Sequence, residues 1–249
     1  MHLKFEFSAR TKTIIPCSLP LDCSKGLFGR DIVSQVLERL GELALVPVVK
    51  IEDAQDSIEL GEALLKGGLP CAEITFRTNA AEEAIKLIAS TLPEMLVGAG
   101  TVLTVDQANR AVAAGAQFIV APGFNPRVVD WCLENHVAVT PGVATPTEIE
   151  MALDKGLNIL KFFPAEAVGG IATLRAIAAP YSDIKFIPTG GINAANLAHY
   201  LALPMVHACG GSWMVKANLI SSGDFSKITN LTQEAMSIVH QQRGAGGNV

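Results

Sequence analysis

The chain is predicted to be an α/β protein folded as a single (β/α)8 TIM barrel, and three observations predict it. Eight short apolar, β-branched runs recur roughly every 20 to 26 residues, each bounded by Gly or Pro. Helical periodicity fills most of the intervals between them. No Gly-x-Gly-x-x-Gly opens the first unit, so the fingerprint of an open dinucleotide-binding sheet is missing. Short strands alternating with helices imply parallel βαβ units. Eight of them in about 200 residues suit a closed barrel better than an open doubly wound sheet.

The elements follow in order. Residues 1–30 sustain no period and are turn-rich from Pro16 to Gly29, which marks an N-terminal extension that could be partly disordered. The barrel is expected over 31–243. Its strand runs are Ala44–Lys50, Cys71–Arg77, Met95–Thr101, Gln117–Ala121, Val137–Pro141, Ile159–Phe163, Lys185–Thr189 and Val206–Gly210. Helical patterns include Asp53–Lys66, where Ile58, Leu60, Leu64 and Leu65 are apolar, and Ala80–Thr91. A last helix near Phe225–Gln242 would close the outer ring, and 244–249 forms a Gly-rich tail.

Composition bounds the function. Of 249 residues, 49% are hydrophobic and 17% charged, enough to bury a large core and exclude a disordered chain. The net charge of -5 supplies no basic field, which argues against nucleic acid or an anionic membrane as partner. No apolar run approaches the ~20 residues of a membrane span. The first residues also lack a signal-peptide layout, so a cytoplasmic protein is expected. Five cysteines without a Cys-x-x-Cys spacing read as buried or incidental reduced thiols. The histidines are scattered, so no metal is assigned.

Catalysis in such barrels sits at the C-terminal ends of the strands. In Cys71-Ala-Glu-Ile-Thr-Phe-Arg77, the apolar set Ala72, Ile74 and Phe76 should face the helices. Cys71, Glu73, Thr75 and Arg77 then face the interior. An inward Glu is costly unless used or paired. The structural alternative is an internal bridge from Glu73 to an Arg or Lys.

The sixth run weighs against that alternative. In Ile159-Leu-Lys-Phe-Phe163, Lys161 shares a face with Ile159 and Phe163. If that face is inward, the barrel holds a desolvated lysine beside an aromatic ring, which suits a Schiff-base nucleophile. A lone strand lysine is more often structural; one that accompanies Glu73 is a catalytic candidate.

Two Gly-Gly pairs end the last two runs, in Pro188-Thr-Gly-Gly-Ile192 and Cys209-Gly-Gly-Ser-Trp213. Glycines let backbone N–H groups approach an anion, and a short helix after Ser212 would add its dipole. Barrels commonly hold phosphate after strands seven and eight. Thr101 in Gly98-Ala-Gly-Thr101 could donate to a carboxylate, or simply end its strand in a turn. Pro122 and Pro141 shape strand ends, Trp131 and Trp213 pack, and His136, His199 and His207 lie on helices, turns or outer faces.

Taken together, Glu73-Ile-Thr-Phe-Arg-Thr78, Gly98-Ala-Gly-Thr-Val102, Pro122-Gly123, Lys161-Phe-Phe-Pro-Ala-Glu166, Pro188-Thr-Gly-Gly-Ile192 and Gly210-Gly-Ser-Trp213 resemble the 2-keto-3-deoxy-6-phosphogluconate (KDPG) and 4-hydroxy-2-oxoglutarate aldolase family. The likeness runs from about Asp31 to His240 in order and spacing. It implies Lys161 as Schiff-base lysine and Glu73 as general acid/base. Arg77 and Thr101 would bind the pyruvyl carboxylate, Phe163 would pack on the imine, and Thr189 would influence stereochemistry beside Pro122. Gly190, Gly191, Gly211 and Ser212 would hold phosphate. It further implies a phosphorylated 2-keto acid substrate, no cofactor and a homotrimer. The extension before Asp31 and Lys50, where some members carry Arg, depart from the pattern. The competing expectations are a phosphosugar isomerase or synthase on the same barrel, and a non-catalytic phosphate-binding module.

Overall fold

Val33, Val36, Leu37 and Leu40 recur at the spacing of one helical face, and in the computed structural model they form the buried side of α1 (Gly29–Leu43). The structure describes residues 29–244; the expectations for the extension before residue 29 and for the tail after 244 lie outside the described residues. The helix α1 has no counterpart among the expected elements. It packs on the first strand and closes the N-terminal side of the sheet, where the half-buried His207 ring lies 2.7 Å from the Leu37 carbonyl.

Strand and helix then alternate: β1 (Leu45–Val49), α2 (Asp56–Lys66), β2 (Cys71–Thr75), α3 (Ala81–Thr91), β3 (Leu96–Gly100), α4 (Val105–Ala113), β4 (Phe118–Val120), α5 (Pro126–Glu134) and β5 (Ala138–Thr140). The chain continues through β6 (Gly142–Val143), α6 (Pro146–Asp154), β7 (Ile159–Phe162), α7 (Gly170–Ala178), β8 (Lys185–Pro188), α8 (Leu197–Leu201), β9 (Cys209–Gly211), α9 (Ala217–Ser221) and α10 (Phe225–Gly244). Every strand pair is parallel, as βαβ units require.

The strands form a curled six-stranded sheet in the order β5-β4-β3-β2-β1-β9 and a three-stranded sheet β6-β7-β8. Isolated parallel bridges, Phe186 to Val206 and Thr189 to Gly210, link the two. The fifth run, expected to end at Pro141, is followed by a further short strand β6, with the break falling at Pro141, which has no N–H for the ladder. Its carbonyl still accepts from the Lys161 amide at 3.0 Å.

The sheet is buried on both faces, as parallel sheets are. On its outer face Ala72 and Ile74 are fully buried, and so are Leu60 and Leu64 of α2 and Ile85 and Ile88 of α3. Each Leu or Ile among them contributes about 1.5–3 kcal/mol by leaving water. Among the described residues no helix is long and apolar enough to cross a membrane.

Candidate active site

Each sheet contributes one charged side chain to the interior. Glu73 on β2 and Lys161 on β7 are 3% and 5% exposed, and no other charged side chain among the described residues is buried. Lys161 Nζ lies 3.5 Å from Glu73 Oε1. That distance gives strong Coulomb attraction but exceeds the 2.7–2.9 Å of a charge-assisted hydrogen bond. Glu73 Oε1 accordingly has no hydrogen-bond partner among the described residues. A buried acceptor left this way costs about 1–3 kcal/mol, so the geometry favours reactivity over stability.

The walls explain the isolation. Val46, Phe118, Val120 and Ile187 line the same small cavity of about 10 Å³, roughly one water's worth of space. Leu40 of α1 reaches it too. On the strand-end side the Phe163 ring stands over the amine, 5.2 Å from Nζ to its centroid. Phe163 itself lies one residue past β7, at a cis bond to Pro164.

Glycines on β3 make the space. The register pairs Glu73 with Gly98 and Thr75 with Gly100. A β-carbon at Gly98 would enter the Phe118 ring, and one at Gly100 would meet the Glu73 side chain. Neither glycine was singled out by the sequence reading for this role. The available signal was two glycines alternating within one apolar strand.

The placement of Arg77 corrects the alternation argument. β2 ends at Thr75, and Arg77 is exposed in the following turn rather than interior. Its Nε donates to Thr75 Oγ1 at 3.0 Å, and it borders an open cleft of about 440 Å³ with Phe76, Asn79 and Arg110. Glu73 therefore faces Lys161 and not Arg77. Thr101 sits next to this turn, since the Phe76 amide bonds the Gly100 carbonyl, and its φ of 55° is a sparsely populated conformation for threonine. Pro122 is half-buried, with its carbonyl against Gly142 so closely that no β-carbon fits there.

Thr189, 6% exposed, reaches the Lys161 cavity, and Gly210 leaves room for its side chain. The Thr189–Gly210 bridge sets the two glycine pairs side by side. Gly190 and Gly191 have φ of 100° and 85°, conformations that suit glycine. The Gly190 carbonyl accepts from the Glu166 amide at 3.0 Å. The Gly191 carbonyl accepts from the side-chain amides of Asn193 and Asn196 at 3.0 and 3.1 Å. In a trans peptide the C=O and N–H point oppositely, so the amides of Gly191 and Ile192 face away from these partners. Among the described residues they donate to no other backbone carbonyl. Outward amides of this kind are donors that an anion can accept from.

Gly211 and the exposed Ser212 stand beside these amides. The helix expected directly after Ser212 begins only at Ala217 and has five residues. The donors on that side are loop amides and the hydroxyl, not a helix end. The buried thiols take no part: desolvation raises Cys132 to about 12 and pushes Cys71 and Cys209 higher, leaving all three protonated.

Residues 36–231 match the family model "KDPG and KHG aldolase". The chain is 53% identical over 204 residues to the 2-dehydro-3-deoxy-phosphogluconate aldolase of Treponema pallidum, covering 82% of this chain and 97% of that protein. It is 43% identical to the KHG/KDPG aldolase of Escherichia coli, over 77% of this chain and 90% of the other. Its fold matches, with a TM-score of 0.76 at 40% identity, a KDPG aldolase from Legionella pneumophila holding pyruvate captured at low pH as a covalent carbinolamine intermediate. That match covers 81% of this chain and 96% of the other. By both family model and relatives, this chain belongs to the KDPG and KHG aldolase family.

Proposed function

We propose that the chain is a class I aldolase that cleaves 2-keto-3-deoxy-6-phosphogluconate to pyruvate and glyceraldehyde 3-phosphate, and 4-hydroxy-2-oxoglutarate to pyruvate and glyoxylate. The observation that carries this is the buried Lys161 amine 3.5 Å from the Glu73 carboxylate in an interior that holds no other charged side chain among the described residues. The covalent pyruvate adduct of the Legionella relative supports the same chemistry.

Lys161 attacks the C2 ketone as the free amine, and loss of water gives an iminium. The iminium accepts the electron pair released when the C3–C4 bond breaks. Glu73, directly or through a water, takes the C4 hydroxyl proton as the aldehyde forms and returns a proton to C3 of the enamine. Hydrolysis of the resulting iminium frees pyruvate and the amine. Arg77, turning in from the cleft, and Thr101 hold the pyruvyl carboxylate. Phe163 packs on the imine, while Thr189 and Pro122 shape the face on which the carbinol sits. Gly190, Gly191, Gly211 and Ser212 bind the phosphate. Lysine supplies the electron sink, so this path uses no cofactor.

The same reading extends to architecture. The two interstrand bridges and the continuity of β5 into β6 support a closed (β/α)8 barrel over 31–243. The family resemblance supports a homotrimer.

Incubation with pyruvate and borohydride tests the function. One reduced pyruvyl group per subunit should appear, on the peptide containing Lys161 and not on exposed Lys155 or Lys185. Trapping at another lysine would sink the mechanism.

A further inference from the structure

Glu166 follows the Phe163–Pro164 turn and makes three contacts that no step above uses. Its amide holds the Gly190 carbonyl at 3.0 Å. Its Cβ and Cγ lie under Gly191, where a β-carbon would collide with them. Its carboxylate accepts a hydrogen bond from the Tyr200 hydroxyl. Tyr200 is fully buried on α8, the helix that follows the glycine loop, and its own amide is tied to Asn196.

We propose that Glu166 and Tyr200 are a positioning pair. Together they hold the Gly190–Gly191 loop at a set distance from Lys161, and so set the preference for a phosphorylated over a non-phosphorylated substrate. This rests on the phosphate site proposed above. The loop after β7 carries the ring beside the amine, and the loop after β8 carries the outward amides. Two backbone bonds join them, from Ala165 to Thr189 at 2.8 Å and from Glu166 to Gly190. The side-chain bond to Tyr200 braces the joined loops against α8.

A bond between a charged acceptor and a buried phenol is of the stronger kind. The phenol's ionisation is pushed upward by burial first and by the Glu166 bond and charge next, which keeps it a donor. Neither side chain lines the Lys161 cavity, so the effect expected is on binding at the far end of the substrate. A substrate without phosphate makes no use of the loop.

The test compares KM and kcat for KDPG and 4-hydroxy-2-oxoglutarate in the full chain. Tyr200→Phe keeps the packing and removes the bond; KM for KDPG should rise about tenfold, with kcat and the 4-hydroxy-2-oxoglutarate reaction unchanged. Glu166→Gln keeps the stem and an acceptor oxygen but loses the charge, so it should fall between the parent and Glu166→Ala, whereas Glu166→Ala should lose more than Tyr200→Phe. Equal losses on both substrates, or an unchanged preference in Tyr200→Phe, would overturn the positioning role. A Glu166→Gln chain as impaired as Glu166→Ala would overturn it as well, because charge and not the link would then matter. A parent chain with no preference for the phosphorylated acid would overturn the phosphate site and the pair together.

Discussion

Gly100 stands against the side chain of Glu73 so closely that a β-carbon there would lie 2.6 Å from Cγ and 2.7 Å from Cδ. The contact is between a carboxylate at the centre of the interior and the backbone of the next strand. It constrains where the carboxylate can go. Gly100→Ala requires no unusual backbone conformation, so its cost falls on Glu73. Cleavage should drop about 10²-fold, the scale for a displaced catalytic group, while the far-ultraviolet circular dichroism stays that of the parent. Full activity in Gly100→Ala would show that Glu73 has latitude the geometry denies it.

Removing the carboxylate's proton chemistry tests the same residue directly. Glu73→Gln preserves shape and should lower kcat by about 10²–10⁴-fold. Borohydride trapping with pyruvate should survive in part, because Lys161 remains. A variant that cleaves at the parent rate would return Glu73 to a structural bridge.

The site was legible where local rules govern and illegible where register does. Strand alternation was enough to put Glu73 and Lys161 on interior faces, because both lie within their strands. It failed for Arg77, two residues past the end of β2, where the chain turns and period 2 no longer applies. Gly100 owes its role to pairing with Thr75 across strands 25 positions apart, and no local pattern states that register.

Much the same division runs through the rest of the fold. The parallel α/β alternation was readable from recurring apolar runs. The break at Pro141 was readable only as a turn, since what it interrupts is a ladder between strands. The helix α1 carried its spacing openly in Val33, Val36, Leu37 and Leu40, but the turn-rich segment before it masked the start. Glu166 and Tyr200, 34 residues apart, meet only through the packing of α8 on two loops.

His207 gives the fold a pH dependence of its own. Burial lowers its pKa below 6.5, with the nearby charges of Arg243 and Lys185 adding to the effect against the Leu37 hydrogen bond. The folded state thus prefers the neutral ring. Its stabilisation is complete above the unfolded pKa of about 6.5 and is lost as pH falls from there through the lowered folded value. Thermal melts between about pH 7.5 and 5.5 should therefore show a decline that His207→Gln reduces. An identical slope in the variant would mean that the ring titrates as it does in the unfolded chain.

The proposed phosphate loops would separate recognition from chemistry. Ser212 is exposed beside the outward amides, and Ser212→Ala should remove one charge-assisted hydrogen bond of about 1.5–3 kcal/mol. The loss should fall on kcat/KM for KDPG and spare 4-hydroxy-2-oxoglutarate. Equal loss on both would assign the loop after β9 to support of the fold.

Lys161 and Glu73 can also be told apart as a stabilising pair and as a reacting pair. Both side chains are more than nine-tenths buried, and their 3.5 Å separation leaves the attraction without a hydrogen bond to offset desolvation. Lys161→Met fills nearly the same volume but strands the Glu73 carboxylate, at a cost of about 3–5 kcal/mol in urea unfolding at neutral pH. Adding Glu73→Gln removes the stranded charge, so the double variant should recover most of that stability. Neither variant should cleave substrate or trap pyruvate. The double-mutant cycle thus isolates the coupling energy from catalysis, because stability returns while activity does not. If Lys161→Met is as stable as the parent, the buried pair is not an ion pair in the folded chain. If the double variant regains activity, Lys161 is not the nucleophile.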